Sequence, residues 1–184
     1  EIIMYGMIHR AVRQMVFDEL GEDAWLALEH KLGIGPTELL TGMVYDDALT
    51  IAIISEASAR LNISVDACLF EFGRYWIKYA EHGSLASIMN FTGQDLASFI
   101  ENLDRLHLAV GAAMPGARLP SFTTISKEPG RLMVEYRSDR TGLEQFVLGL
   151  FDGLITRFGA TGDVKIAEHK ANSIVFELQY QDES

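Results

Sequence analysis

The hydrophobic period of this chain changes once, near Met114, and that change restricts the possible folds more than any other feature. From Tyr5 to about Ala113 apolar residues recur at the spacing of one helix face, broken at Gly21, Gly33-Ile34-Gly35-Pro36, the Gly42 to Asp47 link and Gly83. Beyond Met114, Pro115-Gly116 and Pro120 punctuate the chain. There Ser121 to Ser126, Arg131 to Ser138, Asp163 to His169 and Ser173 to Tyr180 alternate as strands do. Between the second and third of these, Leu143, Phe146, Val147, Leu150, Leu154 and Phe158 return to helical spacing. Gly149 and Gly153 in that segment permit close approach by another backbone. The short connections favour antiparallel hairpins over crossovers. The expected fold is α+β, a single domain over residues 1–184: a mainly helical part (4–113), then an antiparallel four-stranded sheet with a packed helix (114–184).

Two helices can be placed more closely. Ser64 reads as an N-cap, and Val65, Leu69, Phe72, Trp76 and Tyr79 carry an apolar face on to about Ala80. A second helix, from Asp95 to about Ala112, puts Leu96, Phe99, Ile100, Leu103, Leu106, His107 and Val110 on one face, so His107 points inward. With 184 residues, 48% of them hydrophobic, the chain can bury a substantial core. Its formal charge of −11 repels phosphate backbones and anionic lipid, and its basic residues are scattered, which argues against nucleic acid and membrane surfaces as partners. The longest apolar run, Leu49 to Ile54, is stopped by Ser55 and Glu56, too short to span a bilayer. There is no signal peptide pattern, and the single cysteine, Cys68, cannot form an internal disulfide; the expected location is cytoplasmic.

Two features could carry chemistry. In Tyr136-Arg137-Ser138-Asp139-Arg140, strand alternation projects Tyr136, Ser138 and Arg140 from one face, two hydroxyls and a guanidinium suited to carboxylates. From spacing alone an ordinary exposed strand face is the commoner meaning. His107, in an apolar helix face, must satisfy two ring nitrogens away from water, by partners or by a metal; taken alone, a satisfied core histidine is commoner. His9 and His30 fall on polar helix faces, and His82 and His169 at loop or strand ends, so all four are expected to be solvated. No His-Glu-x-x-His, phosphate-cradling glycine loop, nucleophile elbow or paired-cysteine metal site is present in the sequence.

With His107 and Tyr136-x-Ser138-x-Arg140 both in view, the chain resembles the haem-nitric oxide/oxygen binding (H-NOX) family, which includes the haem domain of soluble guanylate cyclase. The resemblance runs through Met4-Tyr5-Gly6, Gly21 to Trp25, Tyr45-Asp46-Asp47, Phe72-Gly73 and Asn102-Leu103-Asp104-Arg105-Leu106-His107. It continues through Pro115-Gly116, Arg118-Leu119-Pro120-Ser121-Phe122, Gly142-Leu143 and Gly149. It implies a haem b cofactor with His107 as proximal iron ligand, Tyr136, Ser138 and Arg140 on the propionates, and Pro120 pressing the haem out of plane. It implies a distal wall of Ile8, Val12, Trp76 and Phe146.

Oxygen-binding members carry a tyrosine where this chain has Phe146, and Phe146 cannot donate a hydrogen bond, so the resemblance implies binding of NO and CO with poor binding of O₂. It further implies a sensor, not an enzyme, in which NO weakens the iron–His107 bond and the helix carrying His107 shifts to signal a partner: a histidine kinase, diguanylate cyclase or guanylate cyclase. No kinase, cyclase or methyl-accepting segment follows Tyr180, so the chain reads as a stand-alone sensor acting in trans or the sensor of a larger receptor. A haem peroxidase would need a distal acid/base that this wall lacks. A haem-free module gripping an apolar acid through Arg140 is the remaining alternative.

Overall fold

The computed structural model describes residues 3–35, 44–113 and 118–182. The expected turns at Pro36, at Gly42-Met43 and at Pro115-Gly116 lie outside the described residues. Those described form eight helices and six strands in an α+β arrangement. Strand β1 (Ile3–Tyr5) leads into α1 (Gly6–Leu20) and α2 (Glu22–Leu32). Part of the expected Gly42 to Asp47 link is instead a strand, β2 (Val44–Asp46), paired antiparallel with β1. Then come α3 (Asp47–Leu61), α4 (Val65–His82), α5 (Ala86–Thr92), α6 (Leu96–Glu101) and α7 (Leu103–Ala113).

Local chemistry sets several of these ends. The Ser64 hydroxyl accepts from the Ala67 amide at 3.1 Å, capping α4 as its sequence position required. Asp95 and Ser98 cap α6 reciprocally. The single helix expected from Asp95 to Ala112 is divided at Asn102, whose backbone (φ −97°, ψ 2°) leaves helical geometry. The Asn102 amide side chain is drawn instead to the Thr92 carbonyl at the end of α5, 2.9 Å away.

The C-terminal sheet comprises β3 (Ser121–Glu128), β4 (Arg131–Arg137), β5 (Ala160–His169) and β6 (Ile174–Asp182), in the order β3-β4-β6-β5 with every neighbour antiparallel. Pro129 and Gly130, the latter at φ 74°, turn β3 into β4. One face of the sheet buries Phe122, Leu132, Val134, Tyr136, Phe176 and Leu178 beneath α8 (Glu144–Arg157). On the other face two carboxylates are covered by cations and a neutral donor each: Glu135 by Lys170, Arg137 and the Ser173 hydroxyl, and Glu177 by Arg131, Lys165 and the Gln179 amide.

Two apolar cores result. The C-terminal core joins α5 to α8 with the sheet; the N-terminal core joins α1, α2, α3 and the first half of α4. Helix α4 serves both, giving Cys68, Leu69 and Phe72 to one and Ile77 and Ala80 to the other. It packs on α8 backbone to backbone: a Cβ at Gly73 would collide with the Phe146 carbonyl, and one at Gly149 with the Phe70 carbonyl. The close approach expected at Gly149 is therefore made, while Gly153 faces the Ile77 side chain.

Candidate functional site

Between the two cores lies a cavity that encloses about 1200 Å³ counted out through its open mouth. Its lining is mostly aliphatic and aromatic, with the polar groups gathered at two places, His107 and the Tyr136–Arg140 segment. This is the layout of a site for a large, flat apolar ligand with acidic ends.

His107, on α7, is half-buried and its ring lies 5.7 Å from that of Phe122. Its Nδ1 is 2.8 Å from the carbonyl oxygen of Pro120. A carbonyl only accepts, so Nδ1 carries the proton and Nε2, at the far corner of the ring, presents a bare lone pair. Burial holds the imidazole below the ordinary histidine value, opposed by the Pro120 hydrogen bond and by Asp104, so the ring is a neutral nitrogen donor near pH 7. Asp104, one turn earlier on α7, fastens the helix to the start of β3, accepting from the Phe122 amide at 2.7 Å and from the Ser121 hydroxyl at 3.0 Å. Sequence reading named Asp104 only as part of a motif; its signal was an acidic residue three positions before an inward histidine.

At the mouth, β4 ends at Arg137, and a turn carries Ser138 and Arg140 to the same cavity as Tyr136. Strand alternation alone therefore does not bring the three together: the Ser138 hydroxyl accepts from the Arg140 amide at 3.0 Å, closing the turn. The Tyr136 hydroxyl bonds Ser138, and its burial raises the phenol above its ordinary value. Arg140 donates through Nε to Asp47 at 2.9 Å and through a terminal nitrogen to the Arg118 carbonyl at 2.7 Å. It thus ties the start of α3 to the sheet. Asp47 and Arg118 are contributors that residue spacing did not reveal, because they lie 93 and 22 positions away.

A site with one neutral imidazole nitrogen suits a metal that brings its other ligands with it. Among the described residues no three His, Cys, Asp or Glu side chains converge to hold an ion by themselves. Lone pair, apolar slot and cationic mouth together fit a haem. The Haem-NO-binding family model matches residues 5–166.

The chain belongs to the haem-NO-binding family. It is 27% identical over 146 residues to soluble guanylate cyclase 89Da of Drosophila melanogaster, covering 79% of this chain and 22% of that protein. It is 29% identical over 150 residues to soluble guanylate cyclase gcy-34 of Caenorhabditis elegans, covering 80% and 22%. The chain thus spans about a fifth of the length of these relatives. Among solved structures it resembles an H-NOX protein from S. oneidensis in the Fe(II)NO ligation state, with TM-score 0.84, 19% identity and coverage of 97% and 100%. It also resembles an oxygen-binding H-NOX domain related to soluble guanylate cyclases, solved as its oxygen complex, with TM-score 0.82, 22% identity and coverage of 97% and 96%. Likeness at this level fixes the fold: helices followed by the antiparallel sheet.

The wall facing away from His107 departs from the sequence reading at His9. Ile8, Trp76 and Phe146 line the cavity, and Phe146 packs against Phe72 with ring centres 5.2 Å apart. Val12 is fully buried in the N-terminal core and is not among the lining residues. Thr50, on α3, lines the cavity and was not foreseen. His9, expected to be solvated, is fully buried; its Nε2 lies 2.5 Å from the Thr50 hydroxyl and its ring meets Tyr45 edge-on at 5.2 Å. The period itself carried this signal, since His9, Val12 and Val16 follow one another on the buried stripe of α1. His30, His82 and His169 are exposed as expected, and Cys68 is buried core.

Proposed function

We propose that this domain is a haem b gas sensor in which His107 is the proximal iron ligand. The observation that carries the reading is the 2.8 Å contact of His107 Nδ1 with the Pro120 carbonyl. A ligating histidine needs its second nitrogen fixed by an acceptor so that the first keeps its lone pair aimed, and the Pro120 carbonyl is that acceptor. The group supplies, when bound, reversible capture of a diatomic gas at iron. Tyr136, Ser138 and Arg140 would hold its propionates, with Arg140 itself positioned by Asp47. Pro120, which lines the cavity, would press on the macrocycle face.

Gas preference follows from side chains and not from fold, since structures of both an NO-ligated and an oxygen-binding H-NOX protein resemble this chain almost equally. Phe146 stands where oxygen-binding members of the family carry a tyrosine and offers no hydrogen-bond donor, which favours NO and CO. Loading of His107 is felt along α7, whose ties are the Pro120 carbonyl and the Asp104 clamp on β3. The partner reading α7 would be a cyclase or kinase: the soluble guanylate cyclase relatives favour a guanylate cyclase, and a histidine kinase or diguanylate cyclase would serve the same role.

The test is an anaerobic absorption spectrum of the reduced, haem-reconstituted domain with NO, CO and air in turn, beside His107→Gly. Five-coordinate ferrous haem that answers NO and CO, forms no stable oxygen complex and depends on His107 is the expected result. Failure to retain haem, or an unchanged reduced spectrum in His107→Gly, would overturn the reading and favour a haem-free module gripping an apolar acid through Arg140.

A further inference from the structure

Among the described residues that line the cavity, two are lysine or arginine, Arg118 and Arg140, and none carries a carboxylate. We propose that Arg118 is a second anchor for the acidic ends of the cofactor, its guanidinium passing from Asp139 to an entering carboxylate. The inference rests on the haem-sensor reading and deepens it, since that reading gives the carboxylates to Tyr136, Ser138 and Arg140.

Charge at the mouth falls short of what a dicarboxylate brings. Arg140 is largely enclosed, and its Nε meets Asp47 at 2.9 Å, with side-chain exposures of 11% and 16%, so its charge already has a close partner. Tyr136 and Ser138 add hydroxyls and no charge, and burial raises the Tyr136 phenol, which keeps it neutral near pH 7. Without Arg118, two carboxylates would leave water for a mouth whose one cation is matched by Asp47.

Arg118 is rooted beside the site and loosely held at its tip. Its carbonyl accepts from a terminal nitrogen of Arg140 at 2.7 Å, which fixes its backbone there. Its guanidinium lies 3.5 Å from Asp139, the residue between Ser138 and Arg140, and so stands at the rim next to the motif. That ion pair is longer than a charge-assisted hydrogen bond, and its side chains are 57% and 70% exposed. An exposed pair of this kind contributes little, so it changes partner at little cost. A carboxylate entering the less hydrated mouth gains more from the same cation than Asp139 does in open water. Arg140 holds position, and Arg118 is the cation that moves.

The test measures haem loss from the reconstituted domain to a haem-scavenging apo-globin. Arg118→Gln keeps the carbonyl that Arg140 holds and removes the charge. It should lose haem about tenfold faster than the parent, the scale of one charge-assisted hydrogen bond, while Arg118→Lys stays nearer the parent. Equal rates in Arg118→Gln and the parent would overturn the proposal and leave the dependence of the spectrum on His107, and with it the sensor reading, intact. With haem dimethyl ester, whose acidic ends are capped, Arg118→Gln and the parent should lose the ligand at the same rate. An equal acceleration there would assign Arg118 to the fold of the mouth and overturn its role toward carboxylates. A parent domain that retained no haem would overturn both the proposal and the sensor reading.

Discussion

The two walls of the cavity are built on different principles. On the side of α7, β3 and β4, position is set by directed bonds: His107 to a carbonyl, Asp104 to an amide and a hydroxyl, Arg140 to a carboxylate and a carbonyl. On the side of α1, α4 and α8, position is set by volume: glycines let backbones touch, and aromatic rings fill what remains, with the His9–Thr50 pair the exception. Directed bonds hold a ligand nitrogen to within a fraction of an ångström, while packed volume decides which small molecules fit opposite it. The cavity combines the two, one on each side.

The sharpest way to break the packed wall is Gly149→Ala. A Cβ there meets the Phe70 carbonyl, part of a helix backbone that cannot swing aside, so a loss of about 3 kcal/mol in urea unfolding of the haem-free domain is expected. An unchanged midpoint would mean that α4 and α8 are not held at contact distance. On the bonded wall, Asp104→Ala removes two hydrogen bonds to a charged acceptor and should cost about 2 kcal/mol, with faster amide exchange at Phe122. A neutral result there would remove the distinction between the walls.

Acid separates the regions more gently. His9 has its pKa lowered from 6.5 to about 4 by burial in the N-terminal core, so the unfolded chain binds its proton first. Its stabilising contribution is complete above pH 6.5 and is lost as pH falls toward 4. Glu177, on the outer face of the sheet, is held near 2 by Arg131, then Gln179 and Lys165, against an ordinary 4.5. Its contribution is complete above pH 4.5 and is lost as pH falls toward 2. Stability against pH should therefore fall in two steps, the upper one, to which buried His107 also contributes, reduced in His9→Phe and the lower one reduced in Glu177→Gln. A single step, unmoved by either change, would contradict the assignment.

Most of the fold was legible in the sequence, because period and punctuation are local. The Ser64 cap, the α8 stripe and the four-strand C-terminal half all followed from neighbours a few residues apart. The division at Asn102 was not, since it answers to a carbonyl on α5. Nor were the partners that complete the site: Thr50 is 41 positions from His9, and Asp47 is 93 from Arg140. His107 was legible as an inward residue, but its protonation depends on the carbonyl of Pro120, 13 positions on. The burial of His9 is the instructive miss, for the stripe that holds it was visible and the polarity of the residue was given too much weight.

The carbonyl that orients His107 belongs to the main chain. Every residue type at position 120 supplies one, so a survey of substitutions would find that position sensitive to shape and silent about the hydrogen bond. Pro120→Ala would keep that carbonyl and leave the histidine aimed. The contact that fixes the protonation of this histidine is thus one that selection can tune through the path of the backbone and cannot delete by exchanging a side chain.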